Sequence, residues 1–266
     1  MPGITFFFRG HRGPTTGGSA MSPVELVLPD GNPLAAEPGR PYRDAIRELS
    51  DGLARNALAV KVDGVNHTVD EPVTHGGRLV VITRGSEAGY ETLRHSTAHL
   101  LAWAVQELFP DVKFAIGPAI ENGFYYDFDR EEPFTDADLE RIEAKMHELA
   151  RQGVSVVREE ITQEQARALF ADQPYKLDQI RELGDEATLS IYRMGDFVDL
   201  CEGPHVPSTK ELKAFKLLSV AGAYFRGDSS QPMLQRIYGT SWFKKKELDD
   251  YLHMLEEARK RDHRKL

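Results

Sequence analysis

Residues 91–109 read ETLRHSTAHLLAWAVQELF and are followed by Pro110. At about 100° per residue, Leu93, Leu100, Leu101, Ala104, Val105 and Leu108 share one broad helical arc. Pro110 cannot continue that helix. His95 and His99 fall on the opposite arc, one turn apart, with Gln106 near them. Two imidazoles at i and i+4 can converge on one metal ion or one substrate group. Their place opposite the leucine arc predicts that they line a cleft or the surface. Taken alone, such a pair is more often two ordinary surface residues.

A second local cluster gives the pair weight. Cys201-Glu202-Gly203-Pro204-His205 follows a strand-like run, Phe197–Cys201, and turns through Gly-Pro. A thiol and an imidazole four residues apart can again face one point. A lone Cys beside a turn is more often a small buried hydrophobe. His-x3-His together with Cys-x3-His is a four-ligand set and far more specific. It fits a zinc site, open or closed, held by His95, His99, Cys201 and His205. It equally fits a metal-free pocket in which imidazoles position and deprotonate water. Asp199 lies two residues before Cys201 and so shares its side of a strand. Lys176 and Tyr126 are further candidates, each more commonly a surface lysine or a core aromatic.

The surrounding pattern is α+β. Thr135 caps a predicted helix over Asp136–Gln152, stopped by Gly153. Val154–Ile161 reads as a strand and Gln163–Phe170 as a short helix after Thr162. Phe215–Val220 and Leu234–Tyr238 read as strands. Upstream, Val24–Leu28, Ala57–Val62 and Leu79–Thr83 read as strands around one helix over Tyr42–Leu53. That predicts a small ubiquitin-like β-grasp domain over 21–84 with no catalytic cluster of its own. Arg84–Tyr90 is the expected linker to a larger domain over 90–243. Residues 244–266 predict a charged, solvated helix that needs something to pack on.

Residues 1–20 carry five glycines, Arg9 and Arg12, and no acid. Their apolar stretch is too short for a signal-peptide core. They read as a disordered leader or as an extension upstream of a true start at Met21. The balance of 33 Lys+Arg against 42 Asp+Glu gives a net charge of −9. That argues against non-specific coating of nucleic acid but leaves room for a local basic site. No run of 18 apolar residues predicts a membrane span. The single cysteine excludes an intramolecular disulfide and fits a reducing compartment.

HSTAHLL, IGPAIENGFYYDFD, CEGPHVPS, AGAYFRGDS and MLQRIYGTSWF, in this order and spacing, resemble the editing domain of bacterial threonyl-tRNA synthetases. The preceding β-grasp resembles their N-terminal TGS domain, and the last helix their connector to the aminoacylation core. The resemblance covers about residues 22–266. The related alanyl-tRNA synthetase editing domain shares only the His-x3-His and Cys-x3-His skeleton.

The resemblance implies cytoplasmic hydrolysis of seryl-tRNA(Thr), with tRNA(Thr) carrying serine as partner and no membrane. It implies catalytic roles for His95, His99, Lys176, Cys201 and His205, and substrate binding by Tyr126 and Asp199. His95 and His99 would order the terminal ribose and the attacking water. Lys176 would stabilise developing negative charge or donate a proton, and Asp199 would bind the seryl ammonium. Cys201 and His205 would complete the pocket wall, with Cys201 not a nucleophile. No cofactor is expected to be required, and zinc is the alternative. The synthetase core is expected to follow Leu266, so this chain alone is not expected to charge tRNA. Two readings compete with metal-free editing: a zinc-dependent hydrolase acting in trans, and a non-catalytic tRNA-binding or regulatory module.

Overall fold

The computed structural model describes residues 22–184 and 188–263. The leader expected over 1–20, and the end of the helix expected over 244–266, lie outside the described residues. The first unit is a five-stranded sheet of β1 (Val24–Val27), β2 (Pro33–Ala36), β3 (Ala57–Val62), β4 (Val65–Thr68) and β5 (Gly77–Thr83). Its order is β2-β1-β5-β3-β4. β1 and β5 run parallel, and the other pairings are antiparallel. Leu26, Val60, Val62 and Leu79 are fully buried with Tyr42 and Ile46, giving this unit its own core.

The helix expected over Tyr42–Leu53 is two helices, α1 (Tyr42–Leu49) and α2 (Asp51–Asn56). Ser50 is extended, and its hydroxyl accepts from Leu53 N–H as the N-cap of α2. A serine followed by Asp-Gly favours a cap over a helix interior, and this local preference overrides the leucine spacing. Leu49 is consequently 40% exposed.

The expected linker is also shorter. α3 (Glu87–Leu108) starts one turn earlier than the leucine arc implied, because Ser86 caps it through Gly89 N–H. α3 runs through the middle of the second unit. One side meets α4 (Asp136–Gln152) and a sheet of order β12-β13-β8-β6. Those strands are β6 (Lys113–Phe114), β8 (Gly123–Asp129), β12 (Ala214–Tyr224) and β13 (Met233–Trp242), with β7 (Ala119–Ile120) pairing on β8.

The other side of α3 meets a three-stranded antiparallel sheet. Its strands are β9 (Val156–Ile161), β10 (Leu189–Met194) and β11 (Phe197–Leu200), in the order β11-β10-β9. Every α3 residue from Thr92 to Val105 except His95 is therefore buried. The histidine arc is not a surface: His99 is 2% exposed.

α4 has the expected Thr135 cap, completed by Asp138 as a reciprocal capping box, and Gly153 ends it in the left-handed region. α5 (Gln163–Leu169) has the same box from Thr162 and Gln165. α6 (Pro174–Glu182), absent from the sequence reading, opens with proline at its first turn, where no N–H partner is lost. α7 (Lys245–His263) carries Lys–Asp and Lys–Glu pairs at i,i+4. Its start is held by Tyr90 Oη donating to Glu247 and by Tyr251 against Trp242. Among the described residues no helix is long and apolar enough to cross a membrane.

Candidate active site

α3 presents His95, Ser96 and His99 to the turn that follows β11. That turn carries Cys201 to His205 and includes a cis Gly203–Pro204 bond. The His205 ring lies 4.3 Å from the His95 ring and 4.2 Å from the His99 ring, centroid to centroid. Cys201 Sγ is 3.1 Å from His205 Nε2. One donor atom from each of His95, His99, Cys201 and His205 lies within 4.8 Å of the other three.

Ser96, which the sequence reading quoted but gave no role, fixes the tautomer of His205. Its hydroxyl donates to Thr92 C=O at 2.7 Å and lies 3.0 Å from His205 Nδ1. Its one proton is committed to the Thr92 carbonyl, so His205 Nδ1–H donates to Ser96 Oγ. His205 Nε2 then carries the lone pair and faces Cys201 and the other imidazoles. Val206 N–H donates to the same Ser96 oxygen.

The second half of the site lies beside this cluster. Asp199, on β11, is 2% exposed. Lys176, on α6, pairs with its Oδ1. Tyr126 Oη, on β8, donates to Oδ2 at 2.7 Å. His99 Nε2 lies 3.3 Å from the same oxygen. All seven residues singled out in the sequence thus meet in one place. A cleft of about 660 Å³ opens at His95, Arg94, Tyr90, Pro204 and Trp242. Another of about 550 Å³ opens at Lys176, Asp199, Phe197 and Phe170.

Burial sets the protonation states. It lowers His95 to about 4, only partly offset by the Asp199 charge. It pushes His99 and His205 well below the ordinary histidine value, and the neighbouring imidazoles add to the effect. All three are neutral at pH 7 and can accept a proton or bind a cation. Burial also pushes the Cys201 thiol up, reinforced by Asp199. A neutral thiol is a poor nucleophile. Tyr126 is raised well above its usual range, first by burial and then by Asp199. It is a hydrogen-bond donor here and not a base.

The donor set fits a metal ion. Three neutral imidazoles and one thiol match borderline zinc chemistry, and Ser96 is the outer partner such a histidine needs. A spread of up to 4.8 Å is wider than a tetrahedral zinc site requires, so the side chains would close in.

Sequence comparisons point to one family of enzymes. Residues 189–238 match the model of the threonyl and alanyl tRNA synthetase second additional domain. This segment spans β10, β11, the Cys201–His205 turn, all of β12 and the first part of β13. The chain is 50% identical over 248 residues to the threonine–tRNA ligase of Citrifermentans bemidjiense, covering 92% of this chain and 39% of that protein. It is 52% identical over 239 residues to the enzyme of Rubrobacter xylanophilus, covering 90% and 37%. It is 52% identical over 243 residues to the enzyme of Legionella pneumophila, covering 91% and 38%. The chain therefore spans under two fifths of the length of these relatives, and the match lies in their N-terminal portion.

Proposed function

We propose that this chain, which is 50% identical to the N-terminal portion of a threonine–tRNA ligase, hydrolyses the ester of seryl-tRNA(Thr). The observation that carries the reading is the convergence of three neutral imidazoles on a buried Lys176–Asp199–Tyr126 group. An ester needs an activated water, a stabilised oxyanion and a proton for the departing ribose oxygen. A neutral imidazole accepts the proton of the attacking water. His95 and His99 take that part and order the ribose, and the imidazolium so formed returns its proton to the ribose oxygen as the ester C–O bond breaks. Lys176 supplies positive charge where the oxyanion develops.

Asp199 recruits the seryl ammonium, sharing its charge with Lys176 while Tyr126 holds it in place. Cys201 and His205 close the wall. The 21–84 unit is the TGS domain of this reading, and 90–243 is its editing domain, acting on tRNA(Thr) in the cytoplasm.

The chemical need is selective. One methylene-sized group is worth only about 1–3 kcal/mol in a binding pocket, so a site built for threonine admits serine. A second pocket that rejects the threonine methyl removes the error by hydrolysis.

Zinc is the second reading. His95, His99, Cys201 and His205 would hold it, and it would supply Lewis acidity and a more acidic water. We propose that the reaction proceeds without it.

The test is incubation of the full chain with seryl-tRNA(Thr), following loss of the ester. Acceleration over buffer that disappears in His95→Ala supports the reading. Folded protein without acceleration would leave a tRNA-binding module instead.

A further inference from the structure

The turn that carries Cys201 and His205 is held mostly by its own unit. Ser190 Oγ donates to Cys201 C=O at 2.7 Å, and Gly203 N–H donates to Cys201 Sγ at 3.3 Å. One tie comes from the other unit. Asn66, on β4, donates from Nδ2 to Glu202 C=O at 3.0 Å, across 136 residues of sequence. Glu202 is the residue directly after Cys201. The orientation of the Asn66 amide is fixed by this bond, because only its NH2 can face a carbonyl. Its Oδ1 is buried without a partner.

A second line of contacts runs from the same strand to the underside of the turn. Glu71 accepts from Thr68 N–H at 2.7 Å and lies 2.8 Å from His67 Nδ1. Its carboxylate is 3.7 Å from Arg158, which sits across from Tyr192 in the β9–β10 ladder. Tyr192 packs beneath Gly203. That residue is in the left-handed region, and a Cβ there would come 2.2 Å from Tyr192 Oη. The Tyr192 ring stands 4.5 Å from the His205 ring. The first unit therefore touches the turn directly from one side and braces the aromatic beneath it from the other.

We propose that Asn66 is a positioning residue of the site: its amide holds the Glu202 carbonyl, and with it the Cys201–His205 turn, so that Cys201 and His205 stay aimed at His95 and His99. The unit without catalytic residues is on this account part of the active-site scaffold. The proposal rests on the hydrolytic reading for its kinetic consequence but not for its structural one.

The single cysteine allows the structural consequence to be read in the full chain, and deacylation kinetics read the other. Asn66→Asp keeps the shape and removes the donor, Asn66→Gln keeps a donor, and Val65→Ala is a control at the neighbouring position, 48% exposed. Loss of one such hydrogen bond loosens the turn by about fivefold. Iodoacetamide alkylation of Cys201 in Asn66→Asp should rise by about that factor, with the melting temperature showing a folded protein. The kcat for seryl-tRNA(Thr) should fall about fivefold or more, with KM unchanged. Asn66→Gln should recover part of both, and Val65→Ala should match the parent. Raised alkylation in a chain that deacylates nothing supports the positioning role and removes the hydrolytic reading. An active parent with unchanged kcat and alkylation in Asn66→Asp overturns the proposal. So does a raised KM at constant kcat, which would place Asn66 on the substrate.

Discussion

Lys176 Nζ sits 2.5 Å from Asp199 Oδ1, and neither side chain is more than 4% exposed. The pair joins α6 to the end of β11 beside three neutral imidazoles. Breaking such a pair leaves a buried charge without compensation, which typically costs about 3–5 kcal/mol. Lys176→Ala should therefore lower the melting temperature as well as the deacylation rate. Lys176→Met combined with Asp199→Asn should regain stability while remaining inactive. Denaturant melts beside seryl-ester hydrolysis make the comparison. A Lys176→Ala protein as stable as the parent would mean that the pair is not buried in solution.

Acid should destabilise this protein through its histidines. In the folded state His95 titrates at about 4, and His99 and His205 are likewise lowered, whereas unfolded histidine titrates near 6.5. Between those values the unfolded chain binds more protons. This contribution is complete above about pH 6.5 and is lost as pH falls toward 4. His95→Ala should flatten that part of the stability–pH curve, as read by thermal melts. The acid limb of kcat/KM should lie below the ordinary histidine range for the same reason. A limb near 6.5 would indicate solvated imidazoles.

Ser96→Ala should reduce deacylation while leaving the four cluster residues in place. It removes the oxygen that receives His205 Nδ1–H and so frees the ring to adopt the wrong tautomer. Outer partners of this kind are commonly worth about 10–100-fold. Steady-state kinetics would display this, beside melts that read the cost of leaving the buried His205 Nδ1–H and Val206 N–H without an acceptor. An unaffected rate would show that the His205 tautomer has no part in the reaction.

Leu100→Ala is the packing control. Leu100 is fully buried, and its truncation should cost about 2–5 kcal/mol. His99→Ala should also cost stability, because the histidine arc of α3 is covered by the β10–β11 sheet. His95, which lines the open cleft, should be the cleaner chemical deletion. Parallel melts on the three variants rank them.

Zinc removal should leave activity intact. Dialysis against a chelator followed by a deacylation assay and metal analysis checks this. Stoichiometric zinc that survives dialysis, with loss of activity on chelation and recovery on zinc addition, would make His95, His99, Cys201 and His205 a metal centre.

How much was legible follows from sequence distance. His95 with His99, and Cys201 with His205, are each four residues apart, so local geometry alone shows that each pair can converge. Thr135 as an N-cap, and Thr162 as the residue before a short helix, announced their helices, while the reciprocal partners Asp138 and Gln165 emerged only with the structure. The pairing of Lys176 with Asp199 spans α6 and β11 and depends on how those elements dock, which no local pattern encodes. α6 was missed because its apolar positions are few and its start lies in a polar segment. The burial of His99 was missed because a leucine arc identifies one covered face and is silent about a second. Asn66 gave no signal at all: a single amide on a β-strand resembles any surface residue until Glu202 is brought against it.

We propose that the site hydrolyses seryl esters and spares threonyl ones. The most direct measurement compares deacylation of seryl-tRNA(Thr) and threonyl-tRNA(Thr) by the full chain, with His95→Ala as the blank and protein in excess. Rapid loss of serine and little loss of threonine are expected, with neither above buffer in the blank. Equal rates on the two esters would contradict the proposal, as would serine loss that persists in His95→Ala.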